Sequence, residues 1–323
     1  MVSPTRLKSS FIYLANAVSD LRRSSQTFAL VLAPLVVLGA VCLLPDALNL
    51  QHGLAERFAP GTHNVGWWLA QEPYMPTAEP PKALFAWWVL QLFHLALLAL
   101  AFAVDLVVLC TIRRNQARLC HERLIDEAIA VYREAGRLAL GFYWIVFLQI
   151  FVPAAAFVIT RLDWYVSEPW MLALIYLFEV ALLISGAVVY LWLYFARYAL
   201  VFDGRRSFHA LLFSRDLMRK RFFRVGTRIV VFLAVWSGYN SWAAAAFVFV
   251  SIVVGPVGAL AGYLWGAVFG LDLATTAVTY ITTAFFAAAG VRLYQDVRAL
   301  ATVAVEAPIE VAAVPAVEPA SAG

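Results

Sequence analysis

The stretch WMLALIYLFEVALLISGAVVYLWLYFARYALV, residues 170 to 201, contains only two charged side chains. A helix needs ~20 apolar residues to cross a bilayer, because hydrocarbon offers no partner for backbone amides and carbonyls. Five further stretches of this kind predict an all-α, polytopic transmembrane bundle. The six predicted spans are Phe28 to Leu44, Ala83 to Ile112, Leu138 to Thr160, Trp170 to Val201, Ile229 to Val254 and Leu273 to Val291.

Composition supports a membrane protein and argues against a water-soluble fold. The 323 residues are 63% hydrophobic and 14% charged, and the mean hydropathy is +0.80. Values this far from the soluble range are typical of multi-spanning chains. The net charge of +4 comes from basic residues that flank apolar spans, so anionic lipid headgroups are expected as partners and nucleic acid is not.

The basic residues lie almost entirely on one side of the predicted spans. Segments on that side carry 20 of the 24 Lys and Arg, whereas Arg57, Lys82 and Arg161 lie on the other side. Because basic side chains are retained on the inner face, both termini are predicted to be cytoplasmic. The predicted organisation is a cytoplasmic amphipathic segment 1–26, a six-span domain 27–298 with cytoplasmic loops 113–137 and 202–228 and an outer loop 45–82, and a disordered tail 299–323.

Two terminal segments and one internal segment lie outside the predicted spans. Near the N-terminus, Phe11, Leu14 and Val18 recur at helical spacing and predict an amphipathic helix along the inner surface. Segment 258–272 is apolar but short, and its glycines recur every fourth residue. This spacing favours a short helix packed through a glycine zipper, with chance spacing as the alternative. The glycines are Gly258, Gly262, Gly266 and Gly270.

The two long cytoplasmic loops resemble each other. Residues 122–137 and 204–219 share four identities at an offset of 82, which predicts two similar helix-loop-helix units unless amphipathicity alone produces the match. In the second unit, Asp203 and Gly204 are expected to turn and Ser207 to cap a helix. The side chains expected to face the membrane are Phe208, Leu211, Leu212 and Leu217. Those expected to bind lipid headgroups are Arg215, Arg219, Lys220, Arg221 and Arg224.

The run ARYALVFDGRRSFHALLFSRDLMRKRFFRVG, residues 196 to 226, resembles the cytoplasmic signature of bacterial six-span proteins called glycerophosphodiester phosphodiesterase membrane-domain-like. The ending RLYQDVRAL is similar to the closing motif of the same family, although Asp203 stands near where many members have Pro. The resemblance implies a six-span fold in a bacterial inner membrane. The sequence has no catalytic phosphodiesterase barrel, so phosphodiesterase activity is not implied. The matching positions are Arg197, Ala210, Ser214, Leu217, Arg219 to Arg221, Tyr294, Asp296 and Arg298.

Ionisable side chains inside the spans are the candidates for a functional site, since an intramembrane charge is costly and needs a partner. They are His94, Asp105, Glu179 and Arg197. Asp105 and Arg197 are expected at similar depth, where a pair would set helix register or form part of a transport site. Glu179 has no evident partner in the sequence. It is either a functional acid or a hydrogen-bonded group within the bundle, and His94 is expected to be a hydrogen-bonded core residue.

No sequence motif for nucleophilic, metal or phosphate-binding chemistry is present, and no cofactor or metal is expected. The leading interpretation is a non-catalytic membrane protein that binds anionic lipid or a partner, which would be another membrane protein or a second copy of this chain. The alternative is a small-solute transporter with an intramembrane acidic site at Glu179. An intramembrane enzyme is the third reading, with no motif in its favour.

Overall fold

The structure is a computed structural model that describes residues 7–58, 81–117, 123–160, 168–260 and 264–306. These residues are helical apart from short connections, and no strand occurs among them. The helices are α1 Ser10–Arg23, α2 Ser25–Phe58, α3 Pro81–Gln116, α4 Leu124–Thr160, α5 Pro169–Leu193, α6 Ala196–Asp203, α7 Ser207–Arg219, α8 Phe222–Leu260 and α9 Leu264–Glu306.

Six segments of the described chain are helical, long and apolar enough to cross a membrane, which confirms the predicted six-span all-α architecture. The fourth segment runs through both α5 and α6. The segments are Ser25–Leu43, Leu95–Gln116, Leu124–Phe151, Pro169–Asp203, Phe222–Ala243 and Leu273–Thr302.

Several helices extend further than the apolar stretches that predicted them. Helix α2 continues to Phe58, so the first part of the expected outer loop 45–82 is helical. Helix α4 begins at Leu124, well before the predicted span at Leu138, and α9 continues to Glu306, into the expected tail. Once a helix is formed, each added residue gains a backbone hydrogen bond, so polar residues prolong it beyond the lipid boundary. Residues 307–323 of the expected tail lie outside the described residues.

The expected short helix over 258–272 is not a separate element in the described chain. Helix α8 ends at Leu260 and α9 begins at Leu264, so this segment is divided between two long helices. The two loop units also differ. Residues 124–137 form the start of α4 without a break, whereas residues 207–219 form the separate helix α7.

The interior of the bundle is built around α9, which packs against α1, α2, α3 and α8. Large side chains with almost no exposed surface come from most of the helices and include Tyr13, Leu109, Phe142, Tyr198, Met218 and Tyr294. Helix α5 is peripheral by contrast. Gly186 is its buried residue, whereas Leu177 is 67% exposed. Such an apolar outer surface suits contact with lipid chains.

Candidate functional site at the basic end

The segments rich in basic residues meet at one end of the bundle. Gln295 near the end of α9 donates to Gln116 at the end of α3, with Nε2 and Oε1 2.7 Å apart. Arg228 near the start of α8 donates to the backbone carbonyl of Lys8, 2.8 Å away, just before α1. We call this the basic end: α1, the end of α3, the start of α4, helices α6 and α7, the start of α8 and the end of α9.

A break in the fourth span is stabilised by hydrogen bonds to a side chain of α7. Between α5 and α6, Tyr194 and Phe195 form a turn. Ser214 Oγ accepts a hydrogen bond from the Phe195 amide at 3.1 Å and donates to the Trp192 carbonyl at 2.7 Å. Gln149 Nε2 of α4 donates to the Leu193 carbonyl at 2.6 Å. Backbone groups released by the break therefore find side-chain partners, which is the condition for interrupting a helix in lipid.

The predicted pair between Asp105 and Arg197 is present just beyond this break. The Arg197 guanidinium lies 2.6 Å from the Asp105 carboxylate, joining α6 to α3. Its central carbon also lies 5.0 Å from the ring centre of Tyr194 and 5.1 Å from that of Tyr198. The carboxylate and the aromatic faces together compensate a cation that is mostly removed from water.

Stacked tyrosines connect this pair to the end of α9. The rings of Tyr198 and Tyr294 are 5.8 Å apart and inclined by 21°. Gly290 makes this approach possible, because a Cβ atom there would overlap the Tyr198 hydroxyl. The Tyr294 hydroxyl donates to Asp203 at 2.7 Å, and Arg298 lies 2.6 Å from the other oxygen of that carboxylate.

The connection from α6 to α7 is a tight turn at Gly204. This residue adopts a left-handed conformation with a φ of 62°, and its amide donates to the Ala199 carbonyl. A positive φ at the C-terminus of a helix favours glycine. The predicted turn at Asp203 and Gly204 is therefore confirmed, and it orients Asp203 toward Tyr294.

Helix α7 is partly inserted into the bundle, which corrects two expectations. Leu211 and Leu217 were expected to face the membrane, but both are buried, together with Ala210, Ser214 and Met218. Ser207 was expected to cap the helix; the N-cap is Arg206, without a side-chain hydrogen bond. This buried face carries the Ser214 hydroxyl that bonds the free backbone groups at the break. Tertiary contacts therefore determine which face of α7 is buried.

The outer face of α7 combines apolar and basic side chains. Phe208 is 67% exposed and Leu212 is 37% exposed. Four of the predicted headgroup-binding side chains are exposed: Arg215 and Arg219 of α7, Lys220 in the following turn, and Arg224 at the start of α8. Arg221 differs, because it is only half exposed and donates to the Leu300 carbonyl at 3.0 Å. It connects the turn between α7 and α8 to α9 instead of extending freely.

Helix α1 is attached to α9 by two polar contacts. Arg292 binds both carboxylate oxygens of Asp20, at 2.8 and 2.6 Å, and the Tyr13 hydroxyl donates to Asp296 at 2.9 Å. Burial and this hydrogen bond raise the pKa of the Tyr13 phenol well above its usual range, so the phenol remains a neutral donor. The predicted apolar face is divided: Leu14 is buried against the bundle, whereas Phe11 is 72% exposed.

An ionic contact between α3 and α4 was not expected from the sequence. Arg114 binds Glu127 through two nitrogen atoms at 2.7 and 3.0 Å, and Arg113 lies 2.7 Å from Glu134. The two glutamates are seven residues apart and so share one face of α4. That spacing, opposite an Arg-Arg pair at the end of a span, was the signal available in the sequence.

Glu179 is not part of the network at the basic end. It precedes Arg197 by 18 residues, which corresponds to ~27 Å along a helix. Its side chain is half-buried and lies on the less exposed face of α5, in line with Ile175, Leu182 and Gly186. It forms no hydrogen bond or ion pair within the described ranges.

The remaining candidates are only partly described. The side chain of His94 and residue Gly262 lie outside the described residues. Gly258 belongs to α8, whereas Gly266 and Gly270 belong to α9, so these glycines do not share one helix. A Cβ atom at Gly270 would enter open space, which is unlike a tight helix contact.

Comparison of the chain with protein-family models, with curated proteins and with solved structures gives no match. The resemblance to the glycerophosphodiester phosphodiesterase membrane-domain-like family therefore stays an expectation. The positions that carry it nevertheless have specific surroundings: Arg197 pairs with Asp105, Ser214 bridges the helix break, and Tyr294 and Arg298 both bind Asp203.

Proposed function

We propose that this chain is a non-catalytic membrane protein whose basic end binds anionic lipid headgroups. Helix α7 carries this proposal. Its inner face is buried at Ala210, Ser214 and Met218, while its outer face exposes Phe208 and Arg215. An interfacial helix that binds lipid needs this combination of apolar and basic side chains. Here the bundle also fixes its rotation, so the basic side chains extend outward before any lipid arrives.

The charge of the outer face favours an anionic partner. Arg219, Lys220 and Arg224 form no ion pair in the described part of the chain, and Arg215 pairs with the exposed Asp216 at 3.3 Å. An exposed pair of this kind contributes little. Each basic side chain close to an anionic leaflet contributes about 1 kcal/mol, so the group would prefer anionic over zwitterionic lipid.

We further propose that the basic end faces the cytoplasm of a bacterial cell and that both termini lie there. The support is the concentration of basic side chains at the end where α1 contacts α9. Fusions of alkaline phosphatase and of a fluorescent protein after Gly323 test this orientation. Fluorescence without phosphatase activity is expected, and the opposite result would place the basic end outside.

The lipid proposal is tested on the full chain in a neutral detergent, titrated with phosphatidylglycerol or phosphatidylcholine, with bound lipids counted by native mass spectrometry. Glutamine at the four exposed basic positions should weaken phosphatidylglycerol binding by about tenfold or more. Arg221 is left unchanged because it binds the Leu300 carbonyl. The substituted positions are Arg215, Arg219, Lys220 and Arg224.

A charge-preserving variant is the matched control. Lysine at Arg215, Arg219 and Arg224 keeps the charge of this exposed basic group and should keep the preference for phosphatidylglycerol, with the same sensitivity to salt. Equal binding of both lipids by the wild-type chain would contradict the proposal that these basic side chains bind lipid headgroups. Unchanged phosphatidylglycerol binding in the glutamine variant would contradict it as well.

A further inference from the structure

Two grooves flank α9 on the surface of the bundle that faces lipid. The first, of about 590 Å³, lies between the end of α1, α8 and α9, and Val235 and Phe285 form part of its walls. The second, of about 640 Å³, lies between α2 and α9 and includes Val36 and Ala277. Both have almost entirely apolar walls.

The two grooves join at one place. Leu21 and Ser25, at the junction of α1 and α2, line both of them, as does Ile281 on α9. The second groove follows α9 from Ala284 to Gly270, a length of ~21 Å at 1.5 Å per residue. The shape is therefore that of two apolar limbs that diverge from a common mouth at the basic end.

A positive charge lies at this mouth. Arg22 lines the first groove, its side chain is exposed, and it forms no ion pair with the described residues. Arg23 follows it and is also exposed. The acidic side chain of α1, Asp20, is already paired with Arg292. It therefore does not neutralise Arg22. The mouth thus offers a free guanidinium beside two apolar limbs.

We infer that the two limbs bind one anionic phospholipid, with an acyl chain in each limb and its phosphate at Arg22. Each limb admits a flexible acyl chain, and the exposed Arg22 at the mouth favours an anionic headgroup over a second copy of this chain, which would bring a second Arg22. The inference goes beyond binding at α7, because none of the α7 residues lines either limb.

The test uses the full chain in a neutral detergent, washed at high salt and then exposed to dioleoyl phosphatidylglycerol. Native mass spectrometry should show one retained molecule per chain. Ala277→Phe places a ring in the second limb and should lower retention about tenfold, as expected for the exclusion of two methylene groups. Its control is Ala181→Phe on the exposed surface of α5, which should retain the lipid.

The charge at the mouth is tested separately. Arg22→Gln should lower the preference for phosphatidylglycerol over phosphatidylcholine about fivefold, whereas Arg133→Gln on the exposed face of α4 should not. Lysophosphatidylglycerol, with one acyl chain, should be retained less than the two-chain lipid. Thermal unfolding without added lipid checks that each variant is folded, and Ala277→Leu replaces the phenylalanine variant if that one is not.

Equal retention in the Ala277 and Ala181 variants, or equal retention of one-chain and two-chain lipid, would overturn the inference. So would an unchanged preference for phosphatidylglycerol in Arg22→Gln. A fourth contrary outcome is a wild-type chain that is dimeric and Ala277 variants that are monomeric. The last would make a second copy of the chain the occupant. The glutamine variant of α7 should still retain this molecule, so groove binding and headgroup binding at α7 can fail independently.

Discussion

Replacing Ser214 by alanine tests whether α7 holds the break in the fourth span. The hydroxyl accepts from the Phe195 amide at 3.1 Å and donates to the Trp192 carbonyl at 2.7 Å. Ser214 and Phe195 are fully buried, so water does not replace the lost oxygen. The substitution removes only that oxygen and leaves the fit of the apolar face unchanged.

The magnitude follows from the number of groups left without a partner. A buried donor or acceptor that loses its hydrogen bond costs about 1–3 kcal/mol, and here one amide is left unsatisfied and one carbonyl loses a donor. The free energy of unfolding should therefore fall by about 2–4 kcal/mol. Ser185→Ala is the matched control, because Ser185 is exposed and donates only to the Leu182 carbonyl of its own helix at 2.9 Å. That change should stay within about 0.5 kcal/mol.

The assay is reversible unfolding of the full chain in mixed micelles with increasing sodium dodecyl sulfate, followed by circular dichroism. Equal midpoints for Ser214→Ala and Ser185→Ala would refute the reasoning. That result would mean that α5 and α6 straighten into one helix, in which the Phe195 amide donates to Leu191 in the regular pattern.

Three further changes probe the same network by unfolding in micelles. Asp105→Asn leaves the Arg197 guanidinium without its carboxylate and should cost about 3–5 kcal/mol, and adding Arg197→Met should recover much of the loss. Gly290→Ala forces a methyl group onto the Tyr198 hydroxyl and should cost about 1–3 kcal/mol, a loss that Tyr198→Phe should reduce in the double variant. Gly136→Ala meets open space within α4 and should stabilise by roughly 0.5–1 kcal/mol. A cost at Gly136 equal to that at Gly290 would contradict the proposed steric origin.

The spans and one ion pair were predictable because they depend on local composition and on depth. Six apolar stretches predicted six spans, and Asp105 and Arg197, two of the few ionisable residues within them, form a pair. A charge in hydrocarbon needs compensation, so two opposite charges at the same depth predict a contact. The turn at Gly204 was also predictable, because glycine readily adopts the left-handed conformation that ends a helix.

Which face of α7 is buried was not predictable from the sequence in the same way. Its leucines suit lipid and protein interior equally, since both are apolar, so periodicity did not distinguish the inner face from the outer one. The Ser214 hydroxyl distinguishes them only once α5 breaks at Tyr194 and leaves backbone groups to satisfy. The attachment of α1 by Asp20 and Arg292 joins residues that are far apart in the chain.

Length, hydropathy and charge along the chain were enough to predict the number of spans and to assign the basic segments to one side of them. Both depend on the free energy of transferring individual residues into lipid. The partners of Ser214 and Arg22 depended on how the helices come together. Contacts between distant segments determine which polar side chain meets a released backbone group and which remains free beside a groove. Arginines in two different basic segments thus have different roles: Arg221 forms a structural contact, and Arg22 remains an exposed charge.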